Sequence, residues 1–461
     1  MSSRPEGADG APRPASAEPD RGTVHTSGRG VPGGVRWRVL AVLVTLSFVA
    51  YVLRTNMSVA GEGMMRDLGL SPLELGMVLA AFAWGYALFQ FPGGLFGDRL
   101  GPRRALTLIA LAWGLLNLLT ALVPGTSLTS TTTVLVGLIS VRFLMGLFQA
   151  PVFPTIAGAI GNWFPVAGWG LPNGLSSSGL TLGAAATGPL IAWLVTGLGW
   201  RLSFALTAPL GLAGGLLWWW YGRDRPGEHP SVEAAELELI EAGRPPVSPV
   251  EPGAWRVVLA DRNILLLTLS YFLMNYVFYI FFNWFFVYLV RVRGFEALEG
   301  GFVATVPWLV GAVGAAVGGW WCDAASRARG IRWGCRIPAL VSLPLVAVLL
   351  WAGAAADSAG LAVVLLALCF GATQLTEAAY WSAVISVAGR RAAAASGVMN
   401  TGGNAVGGVG ALLVPWMAEQ FGWIAALSTG SLFALLGAVL WLFIRPDEAL
   451  ETRHGRAAAP A

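Results

Sequence analysis

The chain is a succession of about twelve apolar runs, each roughly twenty residues long, separated by mostly short polar connections. A helix needs a run of that length to cross a hydrocarbon core about 30 Å thick. Inside that core each backbone N–H and C=O must be satisfied without water, which a continuous helix does within its own segment. The composition agrees: 56% of residues are hydrophobic and 12% charged, with a mean hydropathy of +0.66, whereas a soluble domain carries about 25% charged residues. Too little polar surface remains to coat a globule in water. The expected fold class is an all-α membrane protein whose surroundings are the lipid bilayer.

The spans fall at roughly 39–60, 73–96, 105–124, 134–156, 171–195, 201–221, 264–290, 301–322, 336–355, 360–388, 397–417 and 422–444. Between the sixth and seventh lies a polar stretch, Glu-rich and then Pro-rich, which divides six spans from six. The expected organisation is a disordered cytoplasmic tail (1–35), a first six-helix bundle (36–221), a cytoplasmic linker (222–262), a second six-helix bundle (263–445) and a second disordered tail (446–461). Residues 1–35 lack the apolar core and cleavage site of a signal peptide. All 29 basic residues are arginines. With the N-terminus inside, 23 fall in tails and cytoplasmic connections, and only Arg66, Arg201, Arg291 and Arg293 fall outside. That asymmetry places both termini in the cytoplasm of an inner (plasma) membrane protein.

One connection stands out. Gly93-Gly94-Leu95-Phe96-Gly97-Asp98-Arg99-Leu100-Gly101-Pro102-Arg103-Arg104 packs an acid and three arginines among turn residues, and Gly318 to Arg329 echoes it around Asp323. Asp98 and Asp323 are 225 residues apart, and Gly199-Trp200 and Gly422-Trp423 are 223 apart. A steady offset over several spans predicts two parallel, pseudo-symmetric halves.

The Gly94–Arg104 pattern resembles the signature loop between the second and third helices of the major facilitator superfamily. Tyr51 to Ala60 in the first span, Arg142-Phe143-Leu144-Met145-Gly146 and Ala150 to Pro165 around the fourth, and Ser396 to Asn404 in the eleventh resemble its anion:cation symporter group. That group comprises organic-acid permeases, sialin and vesicular glutamate transporters. The resemblance covers residues 36 to about 445. It implies twelve helices in two six-helix bundles, a substrate-anion arginine at Arg54, a substrate contact at Asn400, and a cytoplasmic latch at Asp98. Where the group commonly carries a proton-coupling Glu, this chain has Gln149, which cannot titrate; where some members carry Asp before the arginine, it has Leu53.

The residues themselves point the same way. A charge at bilayer depth costs about 2.5–3.5 kcal/mol even on the lenient scale, so Arg54 should face a cavity, where its planar fork fits a carboxylate. The alternative is an arginine reaching headgroups or pairing with Glu62. Arg142, Gly146 and Gln149 share one helix face, which predicts that Arg142 and Gln149 point together into the cavity, Gln149 equally suiting a neutral interhelical hydrogen bond. Gln374, Glu377 and Trp381 share another; Glu377, a carboxylate in a dry surrounding, is the candidate for proton coupling. It could instead be hydrogen-bonded locally, to Tyr380 or Thr373, or paired with an arginine. Asn400 and Asn404 are candidate substrate contacts or packing residues, and Asn275, Tyr279 and Asn283, at i, i+4 and i+8, are a candidate hydroxyl-binding wall or part of the interfacial aromatic belt. Asp98, Arg99, Arg103 and Arg104 are expected to act as a conformational gate, the acid meeting a helix N-terminus.

The function expected is a secondary active transporter of small organic anions, possibly sugar acids in the monocarboxylic class, by alternating access with proton symport through Glu377, acting as a monomer. Rivals are a facilitated-diffusion uniporter, a non-transporting sensor and a drug:proton antiporter, the last because Arg142 to Gly146 is shared with such exporters. Gly183 to Pro189 is one residue too long for their Gly-x-x-x-Gly-Pro kink. An enzyme is not expected, since no span holds a histidine and no nucleophile–His–acid set exists. Neither metal nor cofactor is expected, and arginines scattered through short connections do not suit nucleic acid.

Overall fold

Ser71 begins the second span by accepting from the Glu74 N–H while the Glu74 carboxylate accepts from the Ser71 N–H, a reciprocal cap that satisfies the orphan donors of a first turn. Ser130, Ser358 and Asp261 cap the starts of the fourth, tenth and seventh spans by accepting from first-turn N–H groups, without the reciprocal bond. The computed structural model describes residues 34–125, 128–242 and 255–450. The expected tails (1–35 and 446–461) and the middle of the linker (243–254) therefore lie largely outside the described residues.

Eight helical stretches are long and apolar enough to cross a membrane, and three of them contain more than one span. The first four spans are Val35–Leu68, Pro72–Leu100, Pro102–Ala121, and Thr131–Gln149 continued by Val152–Trp163. Gly170–Tyr221 holds the fifth and sixth, parted at Gly199. Arg262–Asn283, continued by Phe285–Arg291, is the seventh. Val306–Ala355, with Ala297–Val303 before it, holds the eighth and ninth, parted at Gly330. Ala359–Leu375 and Glu377–Ala388 make the tenth, and Ala392–Trp441 holds the last two, parted at Gly422. The chain is thus an all-α membrane protein of twelve spans, and no strand occurs among the described residues.

The repeat is visible in the backbone. Gly101 and Gly330 turn at φ 79° and 78°, and Gly199 and Gly422 at φ 82° and 84°, a region that only glycine enters cheaply. Two features absent from the expected continuous spans repeat as well. The fourth span breaks at Ala150-Pro151 and the tenth at Thr376, again separated by about 225 residues. Pro151, lacking an N–H, explains the first break; the second has no proline or glycine to announce it.

The halves meet at the end of the molecule that carries the Gly101 and Gly330 turns. There the Asp98 carboxylate accepts from Ala393 N–H (3.2 Å) and Ala394 N–H (2.9 Å), at the start of the eleventh span. Asp323 does the same at the start of the fifth, accepting from Gly170 N–H (2.6 Å) and Leu171 N–H (2.9 Å). Bare backbones cross beside each latch: Gly174 against Ala315 and Gly319, Gly397 against Gln90 and Phe91. Asp323 and Ala315 lie 225 residues after Asp98 and Gln90, and Ala393 and Gly397 lie 223 after Gly170 and Gly174. Small residues at such crossings let helices approach closely in lipid. Hydrogen bonds between the spans of the two halves run from these latches to Ser178 Oγ with Ala312 O (2.6 Å) and Asn400 with Gln90. The protein is closed at this end.

The linker, expected as a plain polar loop, is partly folded onto the first half. The buried Glu236 carboxylate accepts from Val35 N–H and Arg36 N–H and pairs with the Arg36 guanidinium at 3.1 Å. Asp224 accepts from Arg103 N–H (2.7 Å), Trp163 Nε1 donates to Arg223 O (2.9 Å), and His229 packs edge-on against Trp163 and Tyr221. Elsewhere the surface is apolar, with Trp193, Trp220, Val313 and Leu412 exposed, as a face against lipid requires.

Candidate functional site

A small cavity lies between the halves. The first, second, fourth and fifth spans line it with Tyr51, Tyr86, Phe153, Ile156, Asn173, Ser176 and Ser177. The seventh, tenth and eleventh add Tyr271, Asn275, Phe278, Gln374, Glu377, Trp381, Asn400 and Asn404. An apolar wall with a few convergent polar groups is what a small-molecule site looks like.

Arg54 does not itself line this cavity; it lies in an aromatic cage beside two residues that do, Tyr51 and Tyr86. Its guanidinium carbon is 4.6 Å from the Tyr86 ring centroid, 5.2 Å from that of Tyr51 and 5.4 Å from that of Phe82. Tyr279, from the other half, is within electrostatic reach, so the charge faces the gap between the bundles. Glu62 is not its partner; that acid pairs with Arg66. Ring faces attract a cation without neutralising it, leaving the fork's charge available to an anion.

Across the cavity, Glu377 sits in the first turn after the Thr376 break, a position set by the break and not by helix phase alone. It is buried, and Trp381 Nε1 (2.9 Å) and Tyr271 Oη (3.2 Å) donate to one carboxylate oxygen. The expected local partners differ: Tyr380 instead bonds Ser270, and Thr373 bonds Cys369 O. Tyr279 Oη donates to Asn404 Oδ1 (2.7 Å), Asn404 Nδ2 to Asn400 Oδ1 (3.0 Å), and Asn400 Nδ2 to Gln90 Oε1 (2.6 Å). This relay carries polar contact from the seventh span through the eleventh to the second.

Several expected residues lie elsewhere. Arg142 and Gln149 are buried but do not line the cavity. Arg142 Nη2 donates to Arg54 O (3.2 Å) and Gln149 Nε2 to Ala50 O (2.6 Å), one helical turn apart on the first span. Gly146 between them abuts the backbone of Phe82 and Tyr86. The shared face is real, but it packs on the first two spans. Asn283 is exposed, as the last residue before a helix break at Trp284. Of the four arginine-loop residues only Asp98 reaches across the halves. Arg103 instead donates to Trp219 O and stacks on its ring at 4.5 Å, within the first half, and Arg99 and Arg104 are exposed. Tyr86 and Gln90 went unnoticed in the sequence, although Phe82, Tyr86 and Gln90 recur at the same i, i+4, i+8 spacing that drew attention to Asn275 and Tyr279.

The sequence profile of the Major Facilitator Superfamily matches residues 43–411. The chain belongs to that superfamily. It is a membrane transporter and not an enzyme. It is 31% identical over 436 residues to a probable sulfoacetate transporter of Cupriavidus necator, covering 91% of this chain and 98% of that one. It is 30% identical to a D-galactonate transporter of Escherichia coli (90% and 97% covered) and 29% identical to a hexuronate transporter of Bacillus subtilis (88% and 94%). Among solved structures it is similar to the superfamily transporter FucP in its outward conformation, with a TM-score of 0.69 at 15% identity, covering 89% of this chain and 99% of that one. The proton:xylose symporter XylE gives a TM-score of 0.71 at 13% identity, covering 92% and 99%.

Proposed function

We propose that the chain is a secondary active transporter of small organic anions, sugar acids foremost, working by alternating access as a monomer in the inner (plasma) membrane. The observation that carries this is Arg54: a permanent cation, caged by rings on three sides, facing the gap between two pseudo-symmetric halves. A carboxylate arriving there gains a charge-assisted, bidentate contact in a site screened from water. Sulfoacetate, galactonate and hexuronate, for which the relatives are named, are small acids and support the same class. Asn400, Asn404, Tyr279 and Trp381 then contact the remaining substrate groups, the relay reporting across both halves. The arginine distribution supports cytoplasmic termini, which makes the closed end the cytoplasmic one.

The two halves, 36–221 and 263–445, move as bodies between states open to either side. Asp98 and Asp323 hold the present state by seating on helix N-termini. Glu377 carries the coupled proton, since Gln149 cannot and since its oxygens reach the cavity that the substrate enters. The groups facing it are Tyr271 from the seventh span and Trp381 from its own, with Tyr51 and Tyr380 within electrostatic reach.

The test is uptake of D-galactonate, D-glucuronate and sulfoacetate into proteoliposomes, with and without an inward proton gradient. Saturable uptake of at least one acid is expected, accelerated by the gradient in the wild type and unresponsive to it in Glu377→Gln. Uptake of none would reject the anion assignment. A gradient response that survives in Glu377→Gln would reject the proton role alone.

A further inference from the structure

Opposite charges lie in the cavity wall and beside it. Arg54, on the first span, packs against the lining residues Tyr51 and Tyr86, and Glu377 is the one carboxylate among the described lining residues. The two are neighbours through the phenols between them. Tyr51, whose ring lies 5.2 Å from the Arg54 guanidinium, is within electrostatic reach of both Arg54 and Glu377. Tyr86, on the other side of that guanidinium, is within reach of Tyr271, which donates to Glu377. Both close partners of Glu377, Tyr271 Oη and Trp381 Nε1, donate to it, the arrangement an ionised, acceptor-only carboxylate uses. No arginine pairs with it in the salt bridges of the described residues.

This geometry treats the two ends of a substrate differently. A carboxylate at Arg54 is attracted. Any group at the opposite end of a chain of several carbons comes under the field of Glu377. A hydroxyl there can donate to Glu377 Oε1, which Tyr271 Oη reaches only at 3.5 Å; a second carboxylate cannot donate and is repelled in a low-dielectric site. The question is live because the relatives include a D-galactonate transporter, for an acid with one carboxylate, and probable galactarate/D-glucarate transporters, for acids with two.

We propose that Glu377 is the specificity-determining residue that restricts this cavity to monocarboxylates bearing a hydroxyl or other donor at the far end, and excludes dicarboxylates. The inference rests on the organic-anion assignment above.

D-galactonate and galactarate form a matched pair, since they differ only in whether the sixth carbon is a hydroxymethyl or a carboxylate. Binding of both to purified protein at mildly alkaline pH is measured by calorimetry. The wild type is expected to bind galactonate at least tenfold more tightly than galactarate. In Glu377→Gln that ratio is expected to fall at least tenfold. A second measurement needs no variant: the methyl monoester of galactarate keeps the length and loses one charge, and is expected to bind the wild type at least tenfold more tightly than the diacid. A ratio unchanged in Glu377→Gln, or a monoester bound no better than the diacid, overturns the inference while galactonate binding leaves the anion assignment standing. Failure of the wild type to bind either acid overturns both.

Discussion

Removing the two helix-capping carboxylates should open the closed end of the molecule by a calculable amount. Asp98 and Asp323 each accept two backbone N–H bonds from the start of a helix in the opposite half, and both contacts are lost when the halves separate there. Hydrogen bonds to a charged group contribute about 1.5–3 kcal/mol when buried. Asp323 is buried, whereas Asp98 keeps an exposed edge and is discounted for solvent screening. About 1–2 kcal/mol per latch is a fair figure. Each single Asp→Ala change should then shift the balance between states roughly 5- to 30-fold. The latches use different helix pairs, so their effects should add, and the double variant should shift the balance by about 25- to 1,000-fold. Spin labels placed by Arg104→Cys and Arg329→Cys, both exposed at this end, report the separation; the native cysteines are buried. A longer distance population should grow from wild type through the singles to the double. If the double variant keeps the wild-type distribution, the carboxylates do not hold the state.

Four further outcomes follow from the same geometry. Gly174→Leu places a side chain against the backbone of Ala315 and Gly319 and should lengthen the same label distance without Asp323 being touched. Gln149→Leu removes the donor to Ala50 O, a carbonyl that keeps its partner within the first helix, so only about 0.5–1.5 kcal/mol of stability should be lost, read as a slightly lowered Tm; a variant with unchanged Tm would show that contact to be dispensable. Glu236→Ala removes the carboxylate that accepts from Val35 N–H, Arg36 N–H and the Arg36 guanidinium and should lower stability by about 1.5–3 kcal/mol, measured by unfolding in detergent. His229, in the linker, is held below the ordinary imidazole value, first by burial and then by Arg223. A base held down in the folded state favours folding above its unfolded value of about 6.5 and loses that contribution as pH falls through the depressed value. Tm should therefore drop on acidification from above 6.5, and drop less in His229→Gln.

How far the sequence announced this molecule depends on whether the signal was local. The twelve spans, the 225-residue repeat and the Asp98 and Asp323 pair could be read because apolar length, turn glycines and spacing are written in consecutive residues. Arg54, Glu377, Trp381 and Asn400 could be read because an ionisable or amide side chain at bilayer depth needs a reason. Arg142 and Gln149 were placed on one shared face; Gln149 makes the interhelical hydrogen bond that was one of its two readings, whereas Arg142 packs on the first two spans and not in the cavity, since periodicity gives a face and leaves open which helix covers it. The Thr376 break, which sets the position of Glu377, has no proline or glycine behind it. Gln90 acquires its meaning only when Asn400, 310 residues later, donates to it.

The account turns on whether the Arg54 guanidinium holds the substrate's carboxylate, and calorimetric titration of purified wild type, Arg54→Lys and Arg54→Ala with D-galactonate, or with whichever acid the uptake panel selects, tests it most directly. Truncating one partner of a buried charge pair costs about 2–5 kcal/mol, so Arg54→Ala should weaken binding by about 30-fold or more, with Arg54→Lys between because it keeps the charge and loses the fork. Equal affinity in the wild type and a folded Arg54→Ala protein would contradict it.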